Sequence, residues 1–183
     1  MEKIQAGTIL IADPFLKDPN FLRTVIFICE HKNEGSFGFV LNRKLDYVIG
    51  ELMHELEDCD IPVYYGGPVQ QNTIHFLHRC PGLITGGEKI TNEIYWGGEF
   101  DELVELLQNK RVSKNDVRLF LGYSGWGEEQ LENEFDEKTW LTTYSSEHLV
   151  FPDDISTIWK DALKQLGGKY EQVIHYPIDP QLN

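Results

Sequence analysis

The chain has 183 residues, of which 41% are hydrophobic and 12% aromatic, enough for one ordinary globular domain with its own core. Its formal net charge at pH 7 is −14, from 30 Asp and Glu residues against 16 Lys and Arg residues. General affinity for nucleic acid or for an anionic membrane depends on clustered Lys and Arg, and the sequence has no such run. We therefore expect no direct binding to nucleic acid and no binding to membranes.

The cysteines and the apolar segments indicate a cellular location. Cys29, Cys59 and Cys80 lie far apart and form no C-x-x-C pair, so neither a zinc site nor a redox motif is indicated. The first apolar stretch is too short for a signal peptide and is closed by Asp13 and Pro14. No stretch approaches the length of a transmembrane helix. The sequence predicts a cytoplasmic protein with reduced thiols and no cofactor.

Apolar patterning predicts strands and helices in irregular order along the chain. The predicted strands are 8–12, 22–30, 37–43, 63–65, 73–79, 90–96, 117–123 and 140–144. The predicted helices are 47–57, 100–107, 128–135 and 155–166, the last of which ends at Gly167. Segment 22–30 has apolar residues at odd and even positions, which fits a strand covered on both faces. Without regular βαβ alternation, the order indicates an α+β fold.

The second and third predicted strands form a hairpin with its turn near Asn33. In that register Glu30 faces about Phe37, while Thr24 faces about Arg43. The two polar ends of the hairpin are then roughly 20 Å apart at ~3.3 Å per residue. One end carries Cys29, Glu30 and His31, and the other carries Arg23, Thr24, Asn42 and Arg43. Hairpin ends are also polar simply because they are solvated.

Residues 122–127, with the sequence GYSGWG, predict a glycine-rich turn between a strand and a helix. The nucleophile elbow of hydrolases reads G-x-S-x-G, but Trp126 occupies the last position, where the strained turn needs a small residue. Neither phosphate-binding glycine pattern occurs, and Glu128 and Glu129 at the helix start would repel a phosphate. We therefore interpret Ser124 as the N-cap of the following helix.

Two further sequence patterns contain residue types that bind metal ions. His75 and His78 are three residues apart on a predicted strand and point to opposite faces, so both cannot easily bind one ion together with Cys80. We interpret them as surface or pocket histidines. The acidic run 128–137 lacks the spacing of a calcium loop and is interpreted as a solvated face.

Four segments in order along nearly the whole chain carry a family resemblance. They are GTILIADP at 7–14, FLRTVIFICEHKNEGSFGFVLNR at 21–43, VYYGGPV at 63–69 and LFLGYSGWGEEQLENE at 119–134. The most specific is the GYSGW turn leading into Gln130, Leu131 and Glu132. These segments resemble the YqgE/AlgH family of bacterial proteins. The chain departs from the family near its end, where IHYP stands at 174–177 in place of a Gly-His-Ala-like segment.

The resemblance implies a complex α+β fold with a small closed β-barrel surrounded by helices. We treat residues 1–183 as a single domain, with 173–183 as an extended tail. The resemblance implies no established enzymatic activity. The family's label of transcriptional regulator describes an effect on a pathway, not a demonstrated chemistry. With an acidic chain, any such regulation is expected to act through a protein or small-molecule partner.

Two functions stay open. In the first, the chain is a non-enzymatic binding or regulatory domain, with Trp126 as its anchor or as an ordinary core residue. The proposed partner surface comprises Arg23, Thr24, Glu30, His31, Asn42, Arg43, Gly66, Gly67, Pro68, Tyr123, Ser124 and Trp126. In the second, an enzyme for a small anionic substrate uses Glu30 or His31 as general base. Arg23 or Arg43 would hold the anion, so the two hairpin ends would have to converge. Each catalytic template fails at a particular residue, which favours binding.

Overall fold

The computed structural model describes residues 4–16 and 21–175, which contain ten strands and six α-helices. The strands are β1 (Thr8–Ala12), β2 (Val25–Lys32), β3 (Gly35–Val40), β4 (Lys44–Val48), β5 (Pro62–Tyr65), β6 (Val69–His78), β7 (Glu88–Lys89), β8 (Tyr95–Trp96), β9 (Val117–Gly127) and β10 (Trp140–Tyr144). The helices are α1 (Ile49–Leu52), α2 (Phe100–Gln108), α3 (Gln130–Asp136), α4 (Glu147–Val150), α5 (Ile158–Leu166) and α6 (Tyr170–Val173). Short 3-10 helices cover His54–Leu56 and Ile155–Thr157.

The strands form one open, mostly antiparallel sheet. Its path runs β10-β1-β2-β3-β9-β6-β8-β7, and β5 joins it by parallel pairing with β9 while also pairing with β4. The two ends of the path, β10 and β7, do not pair with each other in the described residues. The predicted fold, an α+β fold built on a small closed β-barrel, is therefore wrong, because the sheet keeps two edges and the helices pack on its faces.

Strand β9 is the centre of the sheet, and this changes the interpretation of the glycine-rich segment. Its first half lies between β5 and β6, and its second half, from Ser124 onward, pairs with β3. The predicted turn at 122–127 is thus strand. Ser124 donates its hydroxyl to the Gly66 carbonyl (3.2 Å), while Glu129 occupies the N-cap of α3. The N-cap interpretation of Ser124 is wrong, because two neighbouring strands hold this segment extended.

A close crossing of backbones explains the glycine at the point where β9 changes partner. Gly122 has φ +68, and a Cβ there would lie 2.6 Å from the Gly67 carbonyl oxygen and 2.7 Å from that of Val69. A side chain would therefore push the strands apart. A Cβ at Gly67 would in turn fall on the backbone of Tyr123 and Ser124. The glycines at these positions are required by the fold.

The β2–β3 hairpin has the predicted turn and nearly the predicted register. Glu30 pairs with Phe37, and a bulge lies between Ile28 and Glu30. At the other end, the Arg43 guanidinium donates to the Thr24 hydroxyl (3.1 Å). The two polar ends stay on opposite ends of the strands, roughly 20 Å apart at ~3.3 Å per residue.

Strand β2 is covered on both faces, as its continuous apolar sequence predicted. Phe27 packs in the core under α5, and Ile28 packs in the core under α3. Both are 0% exposed, and fully burying such a side chain stabilises the fold by about 1.5–3 kcal/mol. A third core lies under α2, where Leu103 and Leu107 pack with other buried residues of β5 and β9. The sheet is thereby fixed from both sides.

One positive charge is buried inside the first core. Arg118 on β9 is 2% exposed and donates to the backbone carbonyls of Leu41 (2.7 Å) and Val150 (2.6 Å). Its guanidinium also lies 4.1 Å from the centre of the Tyr64 ring. Burial lowers the pKa of Arg118 to about 10, so the group still carries its proton at neutral pH. Arg118 therefore ties the end of the hairpin to α4.

Several predicted elements differ in their limits, and strand β4 was not predicted. The predicted helix 47–57 is divided, because Met53 is extended (φ −132, ψ 116) between α1 and a short 3-10 helix. Of the predicted strand 90–96, only β8 pairs with other strands. In the predicted tail 173–183, Val173 ends α6 and Ile174 is 6% exposed, while residues 176–183 lie outside the described residues.

Candidate functional site

A cleft of about 580 Å³ opens between the β2–β3 hairpin, β6, β8 and the second half of β9. Half-buried aromatic rings from four strands line it: Phe37, His75, Trp96 and Tyr123. We call this site the aromatic cleft. Phe37 is central, because its ring lies 4.6 Å from that of Trp96 and 6.0 Å from that of Tyr123. Such edge-to-face pairs stabilise each other by about 0.5–1.5 kcal/mol beyond their buried area.

Glycine at position 125 leaves room for one wall of the aromatic cleft. Tyr123 and Gly125 are two residues apart on β9, so both face the cleft. A Cβ at Gly125 would lie 3.1 Å from Cε2 of the Tyr123 ring, so the ring lies over the glycine. The GYSG sequence thus positions an aromatic wall and forms no nucleophile elbow.

The mouth of the aromatic cleft is acidic. Lys32 Nζ lies 2.5 Å from Glu30 Oε2, and both residues line the cleft together with Glu34. The pKa of Lys32 is raised, first by its bond to Glu30 and then by the charges of Glu88 and Glu34. The charges of three carboxylates therefore act on one ammonium group, with Glu30 in direct contact, and the local potential at the mouth is negative.

His75 adds a neutral polar edge to the aromatic wall. Burial lowers the pKa of its imidazole, so the ring is uncharged at pH 7. Its Nε2 is buried and has no hydrogen-bond partner among the described residues. The ring lies 5.7 Å from that of Tyr123 and 5.5 Å from that of Phe39. The prediction of a pocket histidine is confirmed for His75, whereas His78 is 0% exposed in the core.

Trp126 is held in the core by a carboxylate. It is 7% exposed, and its indole N–H donates to Glu134 Oε2 (2.9 Å). The indole of Trp140 donates to the same oxygen (2.7 Å). Gln130 completes the arrangement by donating to Glu134 Oε1 (3.0 Å) and accepting from the Gly127 amide (3.1 Å). Of the two interpretations of Trp126, the structure favours the core.

The first polar end of the hairpin divides between two faces. Glu30 faces the aromatic cleft, whereas His31 Nδ1 lies 2.7 Å from Ser36 Oγ and its Nε2 lies 3.6 Å from Glu132 Oε1. This serine–histidine–carboxylate series resembles a catalytic triad in composition. However, Ser36 is 8% exposed, and strand alternation places its side chain on the face opposite that of Phe37. Ser36 borders the aromatic cleft, but its hydroxyl is bonded to His31, which contacts Glu132 of α3, so the hydroxyl does not face the aromatic wall.

The second polar end is a structural cluster. The Asn42 side-chain amide donates to the Arg23 carbonyl (2.8 Å), and Arg43 donates to Thr24. The Arg23 guanidinium lies 4.6 Å from the centre of the Trp159 ring. Since this cluster and Glu30 lie at opposite ends of the hairpin, the structure does not bring a general base and an arginine together. The structure therefore does not support the enzymatic hypothesis, which required a general base and an arginine from the two ends of the hairpin to lie together.

The turn after β5 serves the crossing of strands. The Gly66 carbonyl accepts from the Val40 amide (2.9 Å) and from the Ser124 hydroxyl. Gly67 packs against the β9 backbone, and Pro68 is exposed. Of the residues predicted to form the partner surface, Glu30 and Tyr123 line the aromatic cleft with their side chains. Trp126 borders the cleft but packs its indole under α3.

Sequence reasoning missed several residues of the site. The sequence predicts Phe37 and Trp96 only as strand residues and Glu134 only as part of an acidic helix, and it marks Gln130 only as part of the family resemblance. A signal was available for Gln130 and Glu134, because residues four apart on a helix share a face and this predicted helix begins just after Trp126. No comparable signal marked Trp96, since its place beside Phe37 depends on the pairing of β8 with β6.

Other chemistries find little support in the described ranges 4–16 and 21–175. Within them, no group of three or more His, Cys, Asp or Glu side chains is placed to hold a metal ion. Burial raises the pKa of the Cys29 thiol well above its ordinary value, which disfavours the reactive thiolate. In the same ranges, no helix combines the length and the apolar character needed to span a bilayer.

Comparisons with known proteins agree with the resemblance of the sequence. A family model described as AlgH-like matches residues 9–171. A UPF0301 protein of Chlorobium limicola is 39% identical over 182 residues, which cover 100% of this chain and 97% of that protein. A UPF0301 protein of Chlorobium luteolum is 40% identical, with 100% and 96% covered.

Solved structures share the fold. The solution structure of the AlgH protein from Pseudomonas aeruginosa matches with a TM-score of 0.75 and 25% identity, over 97% of this chain and 98% of that chain. A crystal structure of a protein from Corynebacterium diphtheriae matches with a TM-score of 0.78 over 95% of this chain and 93% of that chain. At 21% identity, the second match concerns the fold alone.

Proposed function

The chain belongs to the AlgH-like family, and we propose that it is a non-enzymatic binding domain whose ligand occupies the aromatic cleft. The observation that carries this proposal is the convergence of half-buried rings from β3, β6, β8 and β9 on one opening. Its volume of about 580 Å³ lies within the ~300–1,000 Å³ typical of small-molecule sites. Aromatic walls with a few polar groups at the edge are the usual composition of such sites.

Binding is favoured over catalysis by how the polar groups near the cleft are engaged. The Glu30 carboxylate is bonded to Lys32, and the Ser36 hydroxyl is bonded to His31 on the opposite face. His75 has a free ring nitrogen but no acidic or nucleophilic partner within the described residues. A catalytic site needs a nucleophile or base within hydrogen-bond reach of a second functional group and of the substrate.

Any effect on transcription would act through the occupant of the cleft, a small molecule or a segment of a protein partner. The net charge of −14 disfavours direct contact with a phosphate backbone. We also expect the protein to act in the cytoplasm, since its three cysteines are free.

The test is a thermal-shift screen of the purified chain against pools of small cytoplasmic metabolites. A ligand that binds only the folded state raises the stability by RT ln(1 + [L]/Kd), which amounts to about 2.7 kcal/mol at 100 times Kd. Trp96→Leu is the diagnostic variant, because Trp96 lines the cleft from the two-residue strand β8, which lies between β6 and the short edge strand β7. Tyr144→Leu is the matched control, because Tyr144 is an aromatic residue 65% exposed on β10.

The proposal predicts a hit that stabilises the wild type and the Tyr144→Leu variant equally and loses most of its effect with Trp96→Leu. A hit that is insensitive to Trp96→Leu would place the ligand elsewhere and contradict the proposal. A complete absence of hits in the metabolite pools would contradict it as well.

A further inference from the structure

We propose that the occupant of the aromatic cleft is an organic cation, an ammonium or guanidinium group carried on an alkyl chain. This inference rests on the proposed function and adds the chemical class of the ligand. It follows from two features that lie on the same face of the hairpin: the aromatic wall and the acidic mouth.

The first feature is the placement of a carboxylate beside an aromatic ring. Glu30 and Phe37 are directly paired across β2 and β3, so their side chains project on the same face. Both line the cleft, and the rings of Trp96 and Tyr123 both contact the Phe37 ring. An alkylammonium group can lie against such rings while its charge meets the carboxylate. Cation–π contacts contribute about 0.5–1 kcal/mol at exposed sites and ~2 kcal/mol or more when water is excluded.

The second feature is the way the cleft already holds a cation of its own. Lys32 Nζ lies 2.5 Å from Glu30 Oε2, with a side chain that is 62% exposed. The pKa of Lys32 is raised by Glu30, Glu88 and Glu34, so the mouth favours a protonated amine. Exposed ion pairs of this kind are weak, and Lys32 can swing into solvent. A ligand cation would then take its place on Glu30, with the added contact to the aromatic wall.

The remaining groups oppose an anionic ligand. His75 is neutral because burial lowers its pKa, so it supplies no positive charge to the wall. Lys32 is the sole Lys or Arg among the residues that line the described cleft, and it is already bonded to Glu30. A net charge of −14 over the whole chain adds a long-range attraction for cations. The charge of the ligand is therefore fixed by the same residues that shape the site.

The test is an NMR titration of the 15N-labelled chain, with the Trp96 indole N–H signal as the reporter. The probes are 1,5-diaminopentane, acetyl-Gly-Lys-Gly-amide, and the same peptide with norleucine in place of lysine as the neutral control. The diamine represents a free amine, and the lysine peptide represents a side chain of a protein partner. We expect at least one of the two cations to bind at least tenfold more tightly than the norleucine peptide, a difference of about 1.4 kcal/mol.

Two variants at the mouth of the cleft should change the affinity for cations in opposite directions. Glu30→Gln should weaken cation binding at least fivefold, because it removes the carboxylate that meets the charge. Lys32→Gln should strengthen binding about threefold, because it removes the competing ammonium group. Glu55→Gln is the control: Glu55 is an exposed carboxylate within the 3-10 helix His54–Leu56, outside the cleft, and its replacement should leave binding unchanged. Raising the ionic strength from about 0.05 M to about 0.5 M should weaken binding, because the screening length shortens.

Each outcome is decisive. Binding of the diamine identifies a free amine as the ligand, and binding of the lysine peptide alone identifies a partner's side chain. Equal binding of the norleucine peptide overturns the inference about charge while the aromatic cleft remains a binding site. Binding of neither cation overturns the inference also, and the proposed function then depends on the metabolite screen alone. A weaker affinity in Lys32→Gln would likewise contradict the role assigned to Glu30.

Discussion

The strongest stability prediction concerns Glu134, whose carboxylate accepts the indole N–H groups of both Trp126 and Trp140 on one oxygen. Glu134→Ala leaves two buried donors without an acceptor, and each such loss costs about 1–3 kcal/mol. Trp140 is 2% exposed and Trp126 is 7% exposed, so water can replace the acceptor only at Trp126. We therefore expect Glu134→Ala to lower the free energy of unfolding by about 3 kcal/mol.

Glu134→Gln separates the hydrogen bonds from the charge. The amide oxygen can still accept from both indoles, but hydrogen bonds to a charged acceptor are roughly twice as strong as neutral ones. We expect a loss of about 1 kcal/mol for this variant. Glu132→Ala on the same helix removes a carboxylate that is 53% exposed, and it should change stability by less than ~0.5 kcal/mol.

The assay is urea-induced unfolding followed by far-UV circular dichroism, which avoids the altered tryptophan fluorescence. Thermal unfolding followed by the same signal is the second readout: for a chain of this size each 1 kcal/mol lowers Tm by about 2–4 °C, so Glu134→Ala should melt roughly 6–12 °C below the wild type. If Glu134→Ala and Glu132→Ala have the same stability, the two indole hydrogen bonds contribute nothing and the account of Trp126 is refuted.

Three further predictions concern the rest of the fold. Arg118→Met should lower the free energy of unfolding by about 3 kcal/mol, because it leaves the Leu41 and Val150 carbonyls without their donors. A loss under ~0.5 kcal/mol in urea unfolding would contradict the role of Arg118 in tying the hairpin to α4. Gly67→Ala should lower the free energy of unfolding by at least ~2 kcal/mol or prevent folding, because the residue has φ +153 and its Cβ would meet the β9 backbone. In Gly82→Ala the new Cβ meets no atom within 4 Å, so this control should be nearly neutral. Equal stability of the two variants would refute the close crossing. Burial lowers the pKa of His75 and His78 below 6.5, so on acidification the unfolded chain binds protons before the folded chain does. The contribution of these two rings to the free energy of unfolding should be fully present above pH 6.5 and be lost as the pH falls through their folded-state pKa values. NMR titration midpoints at or above 6.5 for these two rings would be inconsistent with the structure.

Local sequence patterns determine the limits of several elements. The predicted bounds of β1 and β10 match the structure, since each is a short run of β-branched, aliphatic and aromatic residues that ends at a polar residue. The pairing of Glu30 with Phe37 followed from the position of the turn at Asn33. The coverage of β2 on both faces followed from its unbroken apolar run. In each case the information lies within a few residues of the element.

The errors arose where distant strands decide the structure. The GYSGWG segment has the composition of a turn, yet pairing with β3 and β6 holds it as strand. The closed barrel came from the resemblance to a family, and the open sheet path from β10 to β7 replaces it. The aromatic cleft was only partly predictable, because Trp96 meets Phe37 through the pairing of β8 with β6.

The most direct test of the central claim is a crystal structure of the chain grown with 1,5-diaminopentane or acetyl-Gly-Lys-Gly-amide, whichever binds more tightly in the titration. We predict ordered density for the alkylammonium group in the aromatic cleft, with its nitrogen within ~4 Å of the Glu30 carboxylate and within ~6 Å of the Trp96 or Tyr123 ring. Density at another site, such as the groove beside Gly7 and Tyr144, together with an empty aromatic cleft, would contradict the account.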